Sequence, residues 1–432
     1  MKPFFSKLLY LSFIFFILIN TAHAFEYELN SVVKHPTRKE LYVSGEFKIM
    51  FVIDNEKGTI LKSVPVPFDV KKMTVSKSGK IIATSGTQLY IYNPETNTGN
   101  SVSGTGDIYT VNNSDYYFDI SNYYKKGVKI YSVEDQQLYA EFPLTESLAM
   151  YSYSPQTNFL YLFSSEIQLA DEKSLITKTV EKPSGYNVYS NDYVAQQSDG
   201  KGQNFMIYDL NKRSITVTKQ LPYKMSSSFS KTIAPVGEDL YVLYWSGLIK
   251  IEKNGKCTPI ELADATFNYA SAATLKGHLI CSSMKDGYIY NTASGTSSKF
   301  DVSSGYSDKA YTKDIFIDGD NIYVLAEDYT IYTMDASGVK KSMIDFSQNG
   351  NSGIKYSVMY YNGYSQKDKQ DLEAEGLNSV LKAKKLPAIS LEGKSGYIEV
   401  ATFNTITEAK AFLTDIKGKV SYTAKILPKG TN

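Results

Sequence analysis

Asp54, Asn93, Asp209 and Asp335 stand at equivalent points of a recurring pattern and are the first residues that could do chemistry. Each follows an alternating apolar stretch and precedes a turn. Two roles fit acids repeated in this way. They could form a ring of metal or substrate ligands. Alternatively, each serves its own turn, because Asp and Asn bond backbone amides two residues on and tolerate left-handed conformations. Repetition favours the turn, since a site needs one constellation whereas a repeated fold needs every turn. Histidine chemistry has little to draw on. After residue 24 only His35 and His278 remain, so Ser–His or Cys–His catalysis would have to use one of them. His35 lies in a repeat turn and His278 opens a strand beside Gly277, which are structural positions. Neither supplies the clustered ligands of a metal site. Cys257 and Cys281, the two cysteines, fall in neighbouring repeats; they either pair in an oxidising compartment or stay buried as thiols. No glycine loop opens a helix to cradle a phosphate. No metal and no cofactor is expected. Paired carboxylates for glycoside cleavage stay open, because acids are plentiful.

The elements that would position these residues repeat. Leu41-Tyr42-Val43 leads to Met50-Phe51-Val52-Ile53-Asp54, and Ile81-Ile82-Ala83 to Leu89-Tyr90-Ile91-Tyr92-Asn93. Leu240-Tyr241-Val242 leads to Ile249-Lys250-Ile251-Glu252, and Ile322-Tyr323-Val324 to Ile331-Tyr332-Thr333-Met334-Asp335. Each phrase is two alternating strands across a short turn. The spacing of roughly forty residues is that of a propeller blade. Second strands begin near Leu41, Ile81, Tyr117, Phe159, Tyr193, Leu240, His278 and Ile322, which predicts a mainly β, eight-bladed β-propeller over 25–347. Seven blades with one degenerate segment is the alternative. Tyr is abundant, at 36 residues, and suits pleated, half-buried surfaces.

The phrase, with His35-Pro36 ahead of Leu41-Tyr42-Val43, resembles the YVTN and WD40-like repeats of exported bacterial propellers. The only Trp, Trp245, leaves no WD dipeptide at a blade end, and a quinone-dependent propeller would carry many Trp. The resemblance implies the fold and leaves function open.

Residues 1–24 read as a secretory signal peptide. Lys2 and Lys7 precede the apolar run Leu8 to Ile19, and Ala22-His23-Ala24 offers the cleavage site, so the mature chain is expected to begin at Phe25. No later stretch is long and apolar enough to span a bilayer. The expected location is the periplasm, with secretion as the alternative. A formal net charge of +1 carries no nucleic-acid footprint.

The polar, Gly-containing stretch 348–353 reads as a linker. After it the pattern turns to α+β. Strands are expected over 354–361, 397–403 and 420–427, with a short one near Ala388 to Leu391. A first helix is expected over 368–385, with Leu372, Leu377, Val380 and Leu381 on one stripe. Thr405-Ile406-Thr407-Glu408 is a capping box opening a second helix that Gly418 stops. The order is βαββαβ, a ferredoxin-like unit over 354–432. Ile398-Glu399-Val400-Ala401-Thr402-Phe403-Asn404, followed by Glu408-Ala409, resembles the second half of the SPOR domain, and Tyr356 to Tyr361 occupies the equivalent first strand. Met359, Tyr361 and Glu399 depart from that family's Gln and Gly positions. By alternation Val358, Tyr360, Ile398 and Val400 face the helices, and Ser357, Met359, Tyr361, Tyr397 and Glu399 face out. That outward face either stacks on sugars or packs against the propeller. The SPOR resemblance implies peptidoglycan glycan strands as ligand.

These features point to an exported, non-enzymatic binding or scaffold protein of the cell envelope. The propeller would be a platform for envelope proteins and the C-terminal unit a tether to the cell wall or a second partner. The rivals are a propeller hydrolase or lyase with its site in the central channel, and a secreted virulence or adhesion factor.

Overall fold

The computed structural model describes residues 29–122, 126–145, 147–169, 195–196, 201–221, 223–224, 233–244, 247–262, 272–275, 277–282, 286–301, 312–326, 330–345, 355–421 and 424–429. The expected signal peptide and the linker at 348–353 lie outside them. Contacts divide the chain so that Leu29–Ser347 forms one compact unit, with Gln348–Asn432 in the other.

The larger unit is mainly β. Among the described residues it holds seven four-stranded antiparallel sheets, their strands in chain order; in the fourth, Ala195–Gln196 falls between the second and third strands and pairs instead with Tyr223–Lys224. They occupy 29–65, 72–103, 107–143, 148–221, 233–261, 272–301 and 312–345. The repeated phrase forms the second and third strands. In the first sheet Glu40–Gly45 pairs with Ile49–Asp54, placing Leu41 opposite Ile53 and Val43 opposite Phe51. Alternate residues bury on both faces, so the strands read as nearly continuous apolar runs. Each fully buried side chain of this kind contributes roughly 1.5–3 kcal/mol.

Seven of the expected second strands fall within the sheets. The eighth, near Tyr193, lies outside the described residues. Among the described residues the sheets number seven, the alternative count, and Phe205-Met206-Ile207-Tyr208-Asp209 does not start a sheet of its own. It belongs to Lys201–Asp209, which pairs with Phe159–Leu169 in the fourth sheet, with Phe163 opposite Phe205 and Phe159 opposite Asp209. That stretch is therefore the third strand of the fourth sheet.

Neighbouring sheets pack face to face. Ile82 and Ile91 of the second sheet meet Ile108 and Tyr117 of the third. Phe118 and Ile130 meet Leu160 and Leu162 of the fourth. Phe205 and Ile207 meet Leu240 and Ile249 of the fifth. Leu243 and Leu248 meet Leu279 and Tyr288 of the sixth, and Ile280 and Ile289 meet Ile322 and Tyr332 of the seventh. The first sheet touches both ends of this series. Tyr42 packs on Tyr92 of the second sheet with ring centroids 6.3 Å apart. Towards the seventh, Lys34 pairs with Asp318 at 2.7 Å and the Asn55 amide donates to the Tyr323 hydroxyl at 3.3 Å.

The C-terminal unit is a small α+β sheet with two helices. Lys355–Asn362 is the middle strand, flanked antiparallel by Gly396–Phe403 and Ala424–Lys429. Helices Lys367–Ala383 and Ile406–Ile416 fill the connections. The capping box forms as expected: Thr405 accepts from the Glu408 amide while the Glu408 carboxylate accepts from the Thr405 amide. Gly418 ends that helix region with φ +79°.

Two expectations fail here. No strand forms near Ala388 to Leu391, leaving three strands among the described residues rather than four. The Asn378 side chain replaces a strand partner there, donating to the Ile389 carbonyl at 2.9 Å and accepting from its amide at 2.8 Å. Leu372 does not join the buried stripe and is 68% exposed. The inward face carries Gln370, Glu373, Leu377, Val380 and Leu381. Buried Glu373 is tolerated because its Oε2 accepts from the Tyr360 hydroxyl at 2.6 Å and the Ser421 amide at 2.9 Å.

Candidate functional site

The repeated acids are occupied by their turns. Asp54 Oδ1 accepts from the amides of Glu56 and Lys57, both at 2.9 Å. Asn93 accepts from Glu95 at 3.0 Å, and Asp209 from Asn211 at 3.0 Å and Lys212 at 3.3 Å. Asp335 takes the amides of Ser337 at 2.9 Å and Val339 at 3.1 Å. Donation to the ionised carboxylate favours its charged form. The Lys57 and Glu56 amides hold Asp54 below the ordinary carboxyl value, and the Ser337 hydroxyl followed by the Val339 amide does the same for Asp335. The ring-of-ligands role gives way to turn chemistry. Among the described residues no three His, Cys, Asp or Glu side chains come together as a metal site.

His35 is buried in the first turn. Its Nδ1 accepts from the amides of Thr37 at 3.2 Å and Arg38 at 3.1 Å, which leaves the ring proton on Nε2. Burial, then the Arg38 charge, lowers its pKa, so it stays neutral. It packs on Gly79 of the next sheet, where a Cβ would lie 2.6 Å from Nε2 and φ is +86°. His278 opens the strand His278–Ser282 opposite Asn291. The Thr37 hydroxyl also lies 3.4 Å from His35 Nδ1, within the same turn.

Cys257 and Cys281 are separate thiols. Cys257 packs on the core between the fourth and fifth sheets, Cys281 within the core between the fifth and sixth. The fifth sheet stands between those cores. Burial pushes the Cys257 thiol up to about 12 and raises that of Cys281 as well, so both are unreactive.

A cavity of about 540 Å³ opens between the fourth and fifth sheets, with Thr218, Lys219, Glu238, Asp239 and Glu252 in its wall. Its acids are paired: Glu238 with Lys253 at 2.7 Å, Asp239 with Lys250 at 2.9 Å and Glu252 with Lys256 at 3.6 Å. Each of these three acids thus already holds a lysine partner.

The outward face of the C-terminal sheet is the strongest candidate. Tyr361 and Tyr397 stand opposite each other on adjacent strands, 39% and 48% exposed. Their rings meet edge to face with centroids 5.2 Å apart. Lys425 Nζ lies 4.2 Å from the Tyr397 ring centroid. Met359 is half-buried between Glu399 on one side and Lys425 on the other. Glu399 is exposed. The face therefore presents an aromatic corner with a cation over one ring and an acid nearby. Aromatic faces stack on sugar rings, and the charges bond hydroxyls.

One expected member is displaced. Ser357 is 3% exposed, and its hydroxyl donates to Glu399 Oε2 at 2.6 Å. A short side chain on a middle strand is covered by its neighbours, so Ser357 orients Glu399 instead of meeting a ligand. A register shift between Val358 and Met359 bulges the partner strand and buries both Val400 and Ala401. Lys425 was not among the residues singled out from the sequence. Its signal was there, since alternation along the last strand puts it on the face away from Ala424 and Ile426, which are buried; the structure pairs it with Met359. No protein-family model matches this chain, and comparison with curated proteins yields no match.

Proposed function

We propose that the chain is an exported binding protein of the cell envelope. Its seven sheets close into a β-propeller scaffold, and a SPOR-like C-terminal unit tethers it to peptidoglycan glycan strands. The propeller reading is supported by the seven sheets in chain order and by the contact of the first sheet with the seventh. The scaffold role, in preference to a hydrolase or lyase, is supported by turn acids and cavity acids that are consumed by backbone amides and lysines. Export rests on the signal-peptide pattern of residues 1–24.

One observation carries the tether: the exposed Tyr361–Tyr397 corner with Lys425 over it. An aromatic corner of this kind stacks on a sugar chain while Lys425 and Glu399 bond its polar groups. The test is sedimentation of the mature chain with purified peptidoglycan, with and without residues 354–432. The full chain should pellet and the truncated chain should stay in solution. Equal pelleting of both would place binding outside the C-terminal unit. Fractionation of cells should find the protein in the periplasm; recovery in the medium would favour the secreted alternative.

A further inference from the structure

Among the described residues the first and seventh sheets each consist of four strands of their own, with none exchanged between them. Side chains hold that junction. Asp314, on Thr312–Asp318 of the seventh sheet, directs Oδ2 to the first strand, Leu29–Lys34. There it accepts from the Ser31 hydroxyl at 2.7 Å and the Val32 amide at 3.1 Å. Its Oδ1 accepts from the Ile315 amide at 3.0 Å. Ser31 Oγ also accepts from the Met73 amide at 2.9 Å. One serine hydroxyl thus joins the first strands of sheets two, one and seven. Both strands are irregular at this point, with register shifts at Leu29/Ser31 and Thr312/Asp314. Bulges of this kind re-aim side chains, and here they bring Ser31 and Asp314 together.

Among the described residues, the charges around the clasp are few. Lys72, opening the first strand of the second sheet, acts on Asp314. On the strands packed against it, Lys34 is paired with Asp318 at 2.7 Å, Lys313 is the neighbour in sequence, and Asn321–Ala326 carries no charge. Burial raises the pKa of the Asp314 carboxyl, and Lys72 opposes that rise.

We infer that the Asp314–Ser31 clasp is the latch of the ring, so that the ring opens first between its first and seventh sheets, and more readily as pH rises. The sign follows from linkage. A carboxyl with a raised folded pKa contributes stability that is fully present below its ordinary value of about 4. That contribution is lost as pH rises through the folded value. The latch is strongest in mild acid, and the inference rests on the junction's own contacts, independent of what the chain binds.

Amide hydrogen exchange on the full mature chain, corrected for intrinsic rates, tests this at pH 5 and pH 8. Leu29–Lys34 and Thr312–Asp318 should exchange together and faster than Gly247–Ile251 of the fifth sheet, with the gap widening several-fold at pH 8. Asp314→Asn should abolish the widening. Lys72→Gln, at an exposed position that leaves folding intact, should enlarge it by removing the charge that favours ionised Asp314. The inference is overturned if the two strands exchange no faster than Gly247–Ile251. It is equally overturned if Asp314→Asn keeps the pH dependence, or if Lys72→Gln leaves it unchanged. Should Asp314→Asn fail to fold, the Lys72→Gln result decides alone.

Discussion

The seven-sheet unit and the C-terminal unit spend their polar side chains differently. In the first, acids recur at one turn position and each is consumed by its own backbone, as at Asp54 and Asp335. In the second, nothing repeats, and the polar and aromatic groups at Tyr361, Tyr397, Glu399 and Lys425 converge on one exposed face. Repetition in sequence therefore marks scaffold chemistry. A group that occurs once, exposed and beside unlike neighbours, is the better guide to a site.

The sharpest break in this contrast should come from the interior of the C-terminal unit. Glu373→Ala would leave the Tyr360 hydroxyl and the Ser421 amide buried without their acceptor. Losing both bonds should cost about 3 kcal/mol. Denaturant melts should show the loss in the C-terminal unit while the seven-sheet transition stays in place. A joint shift of both transitions would mean that the two units do not unfold independently.

In the scaffold the corresponding test is Gly79→Ala. It combines a φ of +86° with a Cβ 2.6 Å from His35 Nε2. A loss of roughly 1–2 kcal/mol is expected, mainly from the left-handed backbone. Thermal unfolding measures it, and an unchanged melting temperature would remove His35 from the structural role given to it.

The smallest effect concerns the turn acids. Asp54 and Asp335 have depressed pKa values, so their contribution is present above the ordinary value of about 4 and is lost as pH falls through the folded value. Asp54→Ala with Asp335→Ala should flatten the acid limb of a stability–pH curve slightly without touching ligand binding. A marked loss of binding would return these acids to the list of site residues.

Much of the scaffold was legible because its signal is local. Leu41, Ile81 and Leu240 each sit in a period-two run closed by a polar turn, and each lies in a strand. The strand expected near Tyr193 lies outside the described residues; Phe205 to Asp209 reads the same as a third strand of that unit or of the preceding one, and only its pairing with Phe159 to Phe163 decides for the preceding one. Leu372 misled because apolar character pointed inward, while hydrogen bonds let Gln370 and Glu373 take the buried stripe. The segment at Ala388 to Leu391 carries strand-like residues whose backbone partner is a side chain, Asn378. On the candidate face, alternation placed Tyr361, Tyr397 and Glu399 correctly as exposed. It could not show that Ser357 would be covered, since that depends on both neighbouring strands. Asp314 gave no local signal, because its partners lie at the other end of the unit.

The central claim is that the unrepeated aromatic face binds glycan while the repeats provide the scaffold. The most direct test is a binding isotherm of the mature chain on purified peptidoglycan, beside that of the Tyr361→Ala, Tyr397→Ala double variant at equal melting temperature. Each ring contributes about 1 kcal/mol, so the double variant should bind roughly thirtyfold more weakly. Equal affinity of the two proteins, with both folded, would contradict the account.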